Sequence, residues 1–349
     1  MTKRTRYFLA GSAALLVAGL CTGLVAYYGG GFPSLSASRS GPAELSYVPA
    51  DATVVAFANV GDVMASDLRR RLKQAMPDEK GQQEFQQLTG IDIEHDIDYV
   101  IAAAGAVEPS NANGLVVARG RFNTTQLETL AREHGGVVNE YKGKRLVTIS
   151  EFKVDRPDIP QAVERHHLGH AMTLAFLEPG LIAIGSEPAI KSSIDAQMSA
   201  HSITSNEDMM ELVSDIERGN NAWAVGRFDA IANQAKLPNE IRSRIPPVKT
   251  FAVMSHIDGG ITGTLRAQAT DDQSAENLRQ IVQGFLALGR LQAQSDPKVA
   301  AMLSSLQLSG SGKTVALSFS VPSEIFNLLP NRAGAPQPPR PPAPPTPDK

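Results

Sequence analysis

Residues Tyr7–Tyr28 (YFLAGSAALLVAGLCTGLVAYY) form an apolar segment of 22 residues without a charge, directly after the basic stub Met1–Arg6. At 1.5 Å per residue a helix of that length covers roughly 30 Å, the hydrocarbon thickness of a bilayer. Lys3, Arg4 and Arg6 precede the segment and no cation follows before Arg39. The positive-inside rule therefore leaves residues 1–6 in the cytoplasm and everything beyond Tyr28 outside it, with tyrosines at both ends of the span as interfacial anchors. The competing reading is a cleaved signal peptide, whose apolar region is shorter, about 7–15 residues, and ends in a small-x-small site. Leu24 is too large for such a site ending at Ala26, and Leu20 before Cys21 does not suit a lipoprotein. Either reading puts the body on the extracytoplasmic, periplasmic side of the inner membrane.

That placement gives the composition its meaning. Cys21 is the only cysteine and lies in the apolar segment, so the exported body has neither disulfides nor a thiol nucleophile and must rely on its core. The whole chain of 349 residues carries 33 basic and 36 acidic residues. Setting aside the six basic and one acidic residues of the stub and tail leaves 27 against 35, a body of net charge −8. An acidic body without a basic stripe argues against nucleic acid as a partner.

Residues 29–43 are rich in Gly, Ser and Pro and read as a flexible linker, and residues 331–349 as a disordered Pro-rich tail. Between them the pattern predicts an α+β body of two similar modules, each an antiparallel sheet with packed helices, over 44–205 and 206–330. In the first, strands are expected at 53–60, 99–107, 114–122, 145–150, 172–177 and 181–184. Its helices are expected at 65–76, after a capping box Thr125-x-x-Glu128, and after an N-cap at Ser186. In the second, strand 222–228, helix 230–244, a hairpin 250–257/261–269 turning at Asp258-Gly-Gly260, helices from Asp272 and from Asp296-Pro297, and strand 315–321 repeat that order. Segment 200–208 is polar and marks the crossing between the modules. The matched order points to an internal duplication.

The Tyr47–Ala52 segment (YVPADA) entering the first strand, Gly90–Ile93 (GIDI) before the hairpin and Gly120–Phe122 (GRF) before a helix, behind one N-terminal anchor, resemble uncharacterised bacterial exported proteins of the domain-of-unknown-function type, similar to the DUF3352 group. The resemblance spans residues 44–330 and implies an envelope location. It supplies no catalytic residue.

Motif chemistry is sparse. Leu308–Thr314 (LSGSGKT) has the end of a phosphate-binding loop, but Gln307 stands where the first glycine belongs and a helix precedes it where a strand should, so it reads as a helix-to-strand turn. Ser295-x-x-Lys298 lacks the accompanying S-D-N and K-T-G elements, and neither G-x-S-x-G nor H-E-x-x-H occurs. Glu164, His166 and His170, with His167 beside them, are the weak candidates for a metal, since His166 and His170 would share a helix face. Pro157 and Pro160 speak against that helix. Asp92, Glu94, Asp96 and Asp98 alternate, as on a charged strand edge. Arg69–Arg71 read as a solvated helix face.

No catalytic residue, cofactor or metal is therefore expected. The reading is a membrane-anchored binding or scaffolding protein of the envelope, in contact with lipid through residues 7–28 and with an envelope protein or polymer as partner. The alternative is an envelope hydrolase with a motif-less site between the modules.

Overall fold

The computed structural model describes residues 41–75, 83, 86–87, 89–105, 114–133, 135–149, 171–216, 218–228, 246–292 and 303–322. The apolar segment, most of the linker, the Pro-rich tail, the expected helix at 230–244, the start of the one expected from Asp296, and Glu164, His166, His167 and His170 lie outside them.

The chain is α+β, as expected. Twelve antiparallel strands form one sheet: β1 (Val54–Asn59), β2 (Ile97–Ala104), β3 (Gly114–Gly120), β4 (Val137–Tyr141), β5 (Lys144–Ile149), β6 (Met172–Glu178), β7 (Leu181–Gly185), β8 (Ala222–Arg227), β9 (Val248–Ile257), β10 (Gly260–Ala269), β11 (Gln307–Ser309) and β12 (Thr314–Pro322). Their order is β11-β12-β10-β9-β8-β1-β2-β3-β7-β6-β5-β4. Strands from both sides of residue 205 thus share a sheet. The seam is the β1–β8 pair, in register from Val54↔Gly226 to Ala58↔Ala222 about its midpoint Ala56↔Ala224. Outward from the seam run β2, β3, β7, β6, β5 and β4 on one side and β9, β10, β12 and β11 on the other.

Helices cover both faces: α1 (Val60–Ala65), α2 (Asp67–Ala75), α3 (Ile93–Asp96), α4 (Thr124–Glu133), α5 (Glu187–Ser199), α6 (Glu207–Ser214) and α7 (Asp272–Gln292). On one face α5, α6 and the 3₁₀ segment Ala43–Tyr47 close the main core, where Leu45, Ile190, Ile194, Ile203 and Met209 pack on Val55, Ile101, Val117, Leu177 and Trp223. On the other, Val63 and Leu68 of α1 and α2 meet Ala58, Ala222 and Ile257 at the seam, and Ala275 of α7 meets Ala269 and Val315. The aromatic rings of Phe57 and Trp223 stack across the seam with centroids 5.6 Å apart.

Local chemistry explains the element ends, and in places it departs from the sequence pattern. Ser186 caps α5 by accepting from the Ala189 amide, with Pro188 in the first turn. At α4 the cap is Asn123, whose Oδ1 accepts from the Gln126 amide at 3.1 Å. Glu128 of the expected box instead pairs with Arg132 and Arg145. The expected helix 65–76 starts at Asp67 as α2, and a short helix α1 that the pattern did not show precedes it, the two separated by the extended backbone of Ser66. The alternating carboxylates are not a strand edge: Asp92 caps the single turn α3, Glu94 pairs with Arg69 and Lys73, and Asp96 lies near Arg121. Segment 200–208, expected as a polar crossing, is fastened to the entrance of β1. Ile203 is fully buried, its amide donates to Val48 O at 2.7 Å, and Asn206 Nδ2 donates to Ala50 O at 3.0 Å.

Candidate functional site

The face that forms the main core under α5 continues onto β9, β10 and β12 with different residues. Their register aligns Thr250, Gln268 and Thr314 in one row, Ala252, Arg266 and Ala316 in the next, and Met254, Thr264 and Ser318 in a third. Side chains two apart on a strand share a face, so these rows make a mostly polar floor. Among the described residues α6 is the last helix over this face, and beside it opens a cleft of about 500 Å³.

One wall is α6, with Asp208, Glu211 and Asp215 at its cleft side. The floor and far wall bring Lys249, Thr250, Arg266, Gln268, Ser309, Ser311 and Thr314, with Leu212, Phe251 and Ala252 as the apolar part. Asp208, Glu211 and Asp215 are spaced i, i+3, i+7, which places them along one side of the helix. The opposite side, Met209 and Val213, is buried in the main core and fixes the orientation. Arg266 Nη1 reaches Asp215 Oδ2 at 3.4 Å, and the buried Thr250 hydroxyl donates to Gln268 Oε1 at 3.2 Å. The cleft volume is in the range of small-molecule sites. Chemically it sets carboxylates against cations and hydroxyls across a narrow gap, an arrangement complementary to a polar molecule with charges of both signs.

The sequence reading touched this site at one place. Ser309–Thr314 is a β-hairpin turn from β11 into β12, not a helix-to-strand turn, since Gln307–Ser309 pairs with β12. Its residues line the cleft. α6 went unpredicted, although Asn206 as a cap and Met209, Leu212, Val213 and Ile216 at helical spacing were there to be read. The metal candidates Glu164, His166 and His170 lie outside the described residues, among which no three His, Cys, Asp or Glu side chains come together as a metal site. Also among the described residues, no helix is long and apolar enough to cross a membrane, and the 7–28 segment is not one of them.

A second polar cluster sits in the covered half. Arg119 of β3 donates from Nε and Nη2 to Glu44 Oε1 at 2.9 and 2.5 Å, and the Tyr47 hydroxyl donates to Glu178 Oε1 at 2.7 Å. Glu44 is buried, with the Tyr99 hydroxyl beside its carboxylate. Burial would raise the Glu44 pKa, but Tyr99 and Arg119 outweigh it and hold the carboxyl below its usual range. Burial, and Glu178 and Glu44 respectively, push the Tyr47 and Tyr99 phenols up. These groups clamp the segment that enters from the linker onto the sheet.

No protein-family model matches the chain, and no curated protein matches it. Among solved structures the chain is similar to TP0453 in its crystal form I, with a TM-score of 0.46 and 10% identity, over 81% of this chain and 95% of that one.

Proposed function

We propose that this chain is an extracytoplasmic binding protein of the cell envelope, tethered to the membrane by residues 7–28, and that its ligand site is the cleft beside α6. The observation that carries the reading is the mixed lining of that cleft, with Asp208, Glu211 and Asp215 facing Lys249 and Arg266. Such a site recognises a dipolar molecule by pairing each of its ends with the opposite charge. The cleft is built within the open half and α6 rather than between two modules, which favours binding there over a hydrolase site at a module junction. Calorimetric titration of the detergent-solubilised full chain with trialanine, which has one free ammonium and one free carboxylate, should give saturable heat. Arg266→Leu should weaken it about tenfold, the size expected for one charge-assisted hydrogen bond. Absence of heat with the unaltered chain would contradict the reading. Topology has its own test: a reporter fused after Arg39 should work only outside the cytoplasm.

A further inference from the structure

The cleft beside α6 is spanned at one end by an ion pair of its own. Arg266 Nη1 stands 3.4 Å from Asp215 Oδ2, a long contact between side chains that are 31% and 59% exposed. Pairs of that kind hold weakly. Asp215 is also badly placed on its own element. It is the C-cap of α6, where the carbonyls of the last turn repel an anion, whereas Asp208 stands in the first turn, where the free amides favour one. Among the described residues Asp208 and Glu211 are in no ion pair. One end of the cleft therefore holds a cation with a loosely bound carboxylate, and the other holds two carboxylates outside any pair.

We propose that the Asp215 carboxylate stands in for that of the ligand, which displaces it from Arg266 and lays its ammonium against Glu211 or Asp208, so that the cleft takes linear zwitterions with charges roughly 6–10 Å apart. This rests on the reading of the cleft as the ligand site and gives that reading an orientation and a length. Glu211 and Asp208 precede Asp215 by four and seven positions, and at 1.5 Å per helical residue that is about 6 and 10 Å along α6. An extended chain advances about 3.4 Å per residue, which separates the end charges of a tripeptide by about 10 Å and those of a single amino acid by about 3 Å. The reverse orientation would set the ligand's ammonium beside the Arg266 guanidinium, like against like. An acid that competes for the arginine also screens the cleft against anions that have no ammonium, because they displace Asp215 without gaining Asp208 or Glu211 in exchange.

The test is calorimetric titration of the detergent-solubilised full chain with trialanine, alanine and trialaninamide, in which a neutral amide replaces the carboxylate. Asp215→Asn should bind trialanine roughly twofold to fivefold more tightly, the size of one part-exposed ion pair. Trialaninamide should gain nothing from the same substitution. Alanine, too short to reach both ends, should bind the unaltered chain about tenfold more weakly than trialanine. In an Arg266→Leu background the gain from Asp215→Asn should vanish, since the competitor then has nothing to release. Trialanine affinity that is unchanged or weaker in Asp215→Asn would overturn the proposal, as would an equal gain for trialaninamide or equal affinities for alanine and trialanine. The two readings fail differently. No heat with trialanine from either the unaltered chain or Asp215→Asn condemns the ligand site itself, whereas heat from the unaltered chain with no gain in the variant condemns the stand-in role alone.

Discussion

The two halves of the sheet meet at the β1–β8 seam and differ in what lies on one face. On the first half, Leu115, Val117, Ala175, Leu177 and Ala183 present apolar surface, and α5, α6 and the Ala43–Tyr47 segment cover it. On the second, β9, β10 and β12 present Thr250, Thr264, Arg266, Gln268, Thr314 and Ser318, and the face opens into the cleft beside α6. Strand order decides which residues are neighbours. The side chains on a face decide whether it becomes core or site, because burying unpartnered hydroxyls and charges costs more than the burial returns.

The comparison predicts a steep gradient of mutational cost from the covered half to the open one. The largest effect belongs to Arg119→Met, which leaves the buried Glu44 carboxylate without its cation. About 3–5 kcal/mol of unfolding free energy should be lost in denaturant titration. Ile190→Ala, at a fully buried position of the same core, should cost about 3 kcal/mol by lost burial and the cavity left behind. Arg266→Leu on the open half should change stability by less than about 1 kcal/mol, since its ion pair with Asp215 is part-exposed, while weakening trialanine binding about tenfold. If Arg266→Leu proved as destabilising as Ile190→Ala, the open half would be core and the contrast would collapse.

The smallest effect is a pH dependence confined to the covered half. Glu44 has its folded pKa depressed below the ordinary 4.5, so its ionic contribution is fully present above that value and is lost as pH falls through the lower, folded one. The stability difference between the unaltered protein and Glu44→Gln should therefore shrink on acidification from pH 6 to pH 3. A difference that stays constant across that window would show that the Glu44–Arg119 pair is not the ionised clamp described.

Much of the local structure was legible in the sequence, because it depends on neighbours along the chain. Asp258-Gly-Gly260 announced the β9–β10 hairpin, and Ser186 as an N-cap announced α5. The misses have physical causes. β4 is a half-exposed edge strand (VVNEY) without clean alternation, turning into β5 through Lys142, which has a positive φ of 49°, and Gly143. Segment 200–208 has a polar composition and stays largely exposed, but the buried Ile203 fastens it once Ser202 bridges Pro49. The seam was not legible at all: Val55 and Val225 pair across 170 positions, and nothing local in either strand names its partner. The cleft was missed for the same reason, since α6 and the Ser309–Thr314 turn meet only after β9, β10 and β12 have assembled.

The central claim is that the seam makes one cooperative body of the two halves, with β1 and β8 joined along their length and the segment around residue 205 fastened down. Trp223, the sole tryptophan, stands at that seam against Phe57 and reports on it directly. In equilibrium urea unfolding of the full chain in non-ionic detergent, Trp223 fluorescence and the sheet signal in circular dichroism should follow one transition with a shared midpoint. A biphasic sheet signal, with Trp223 following only one of its steps, would contradict the account and show two separately stable modules.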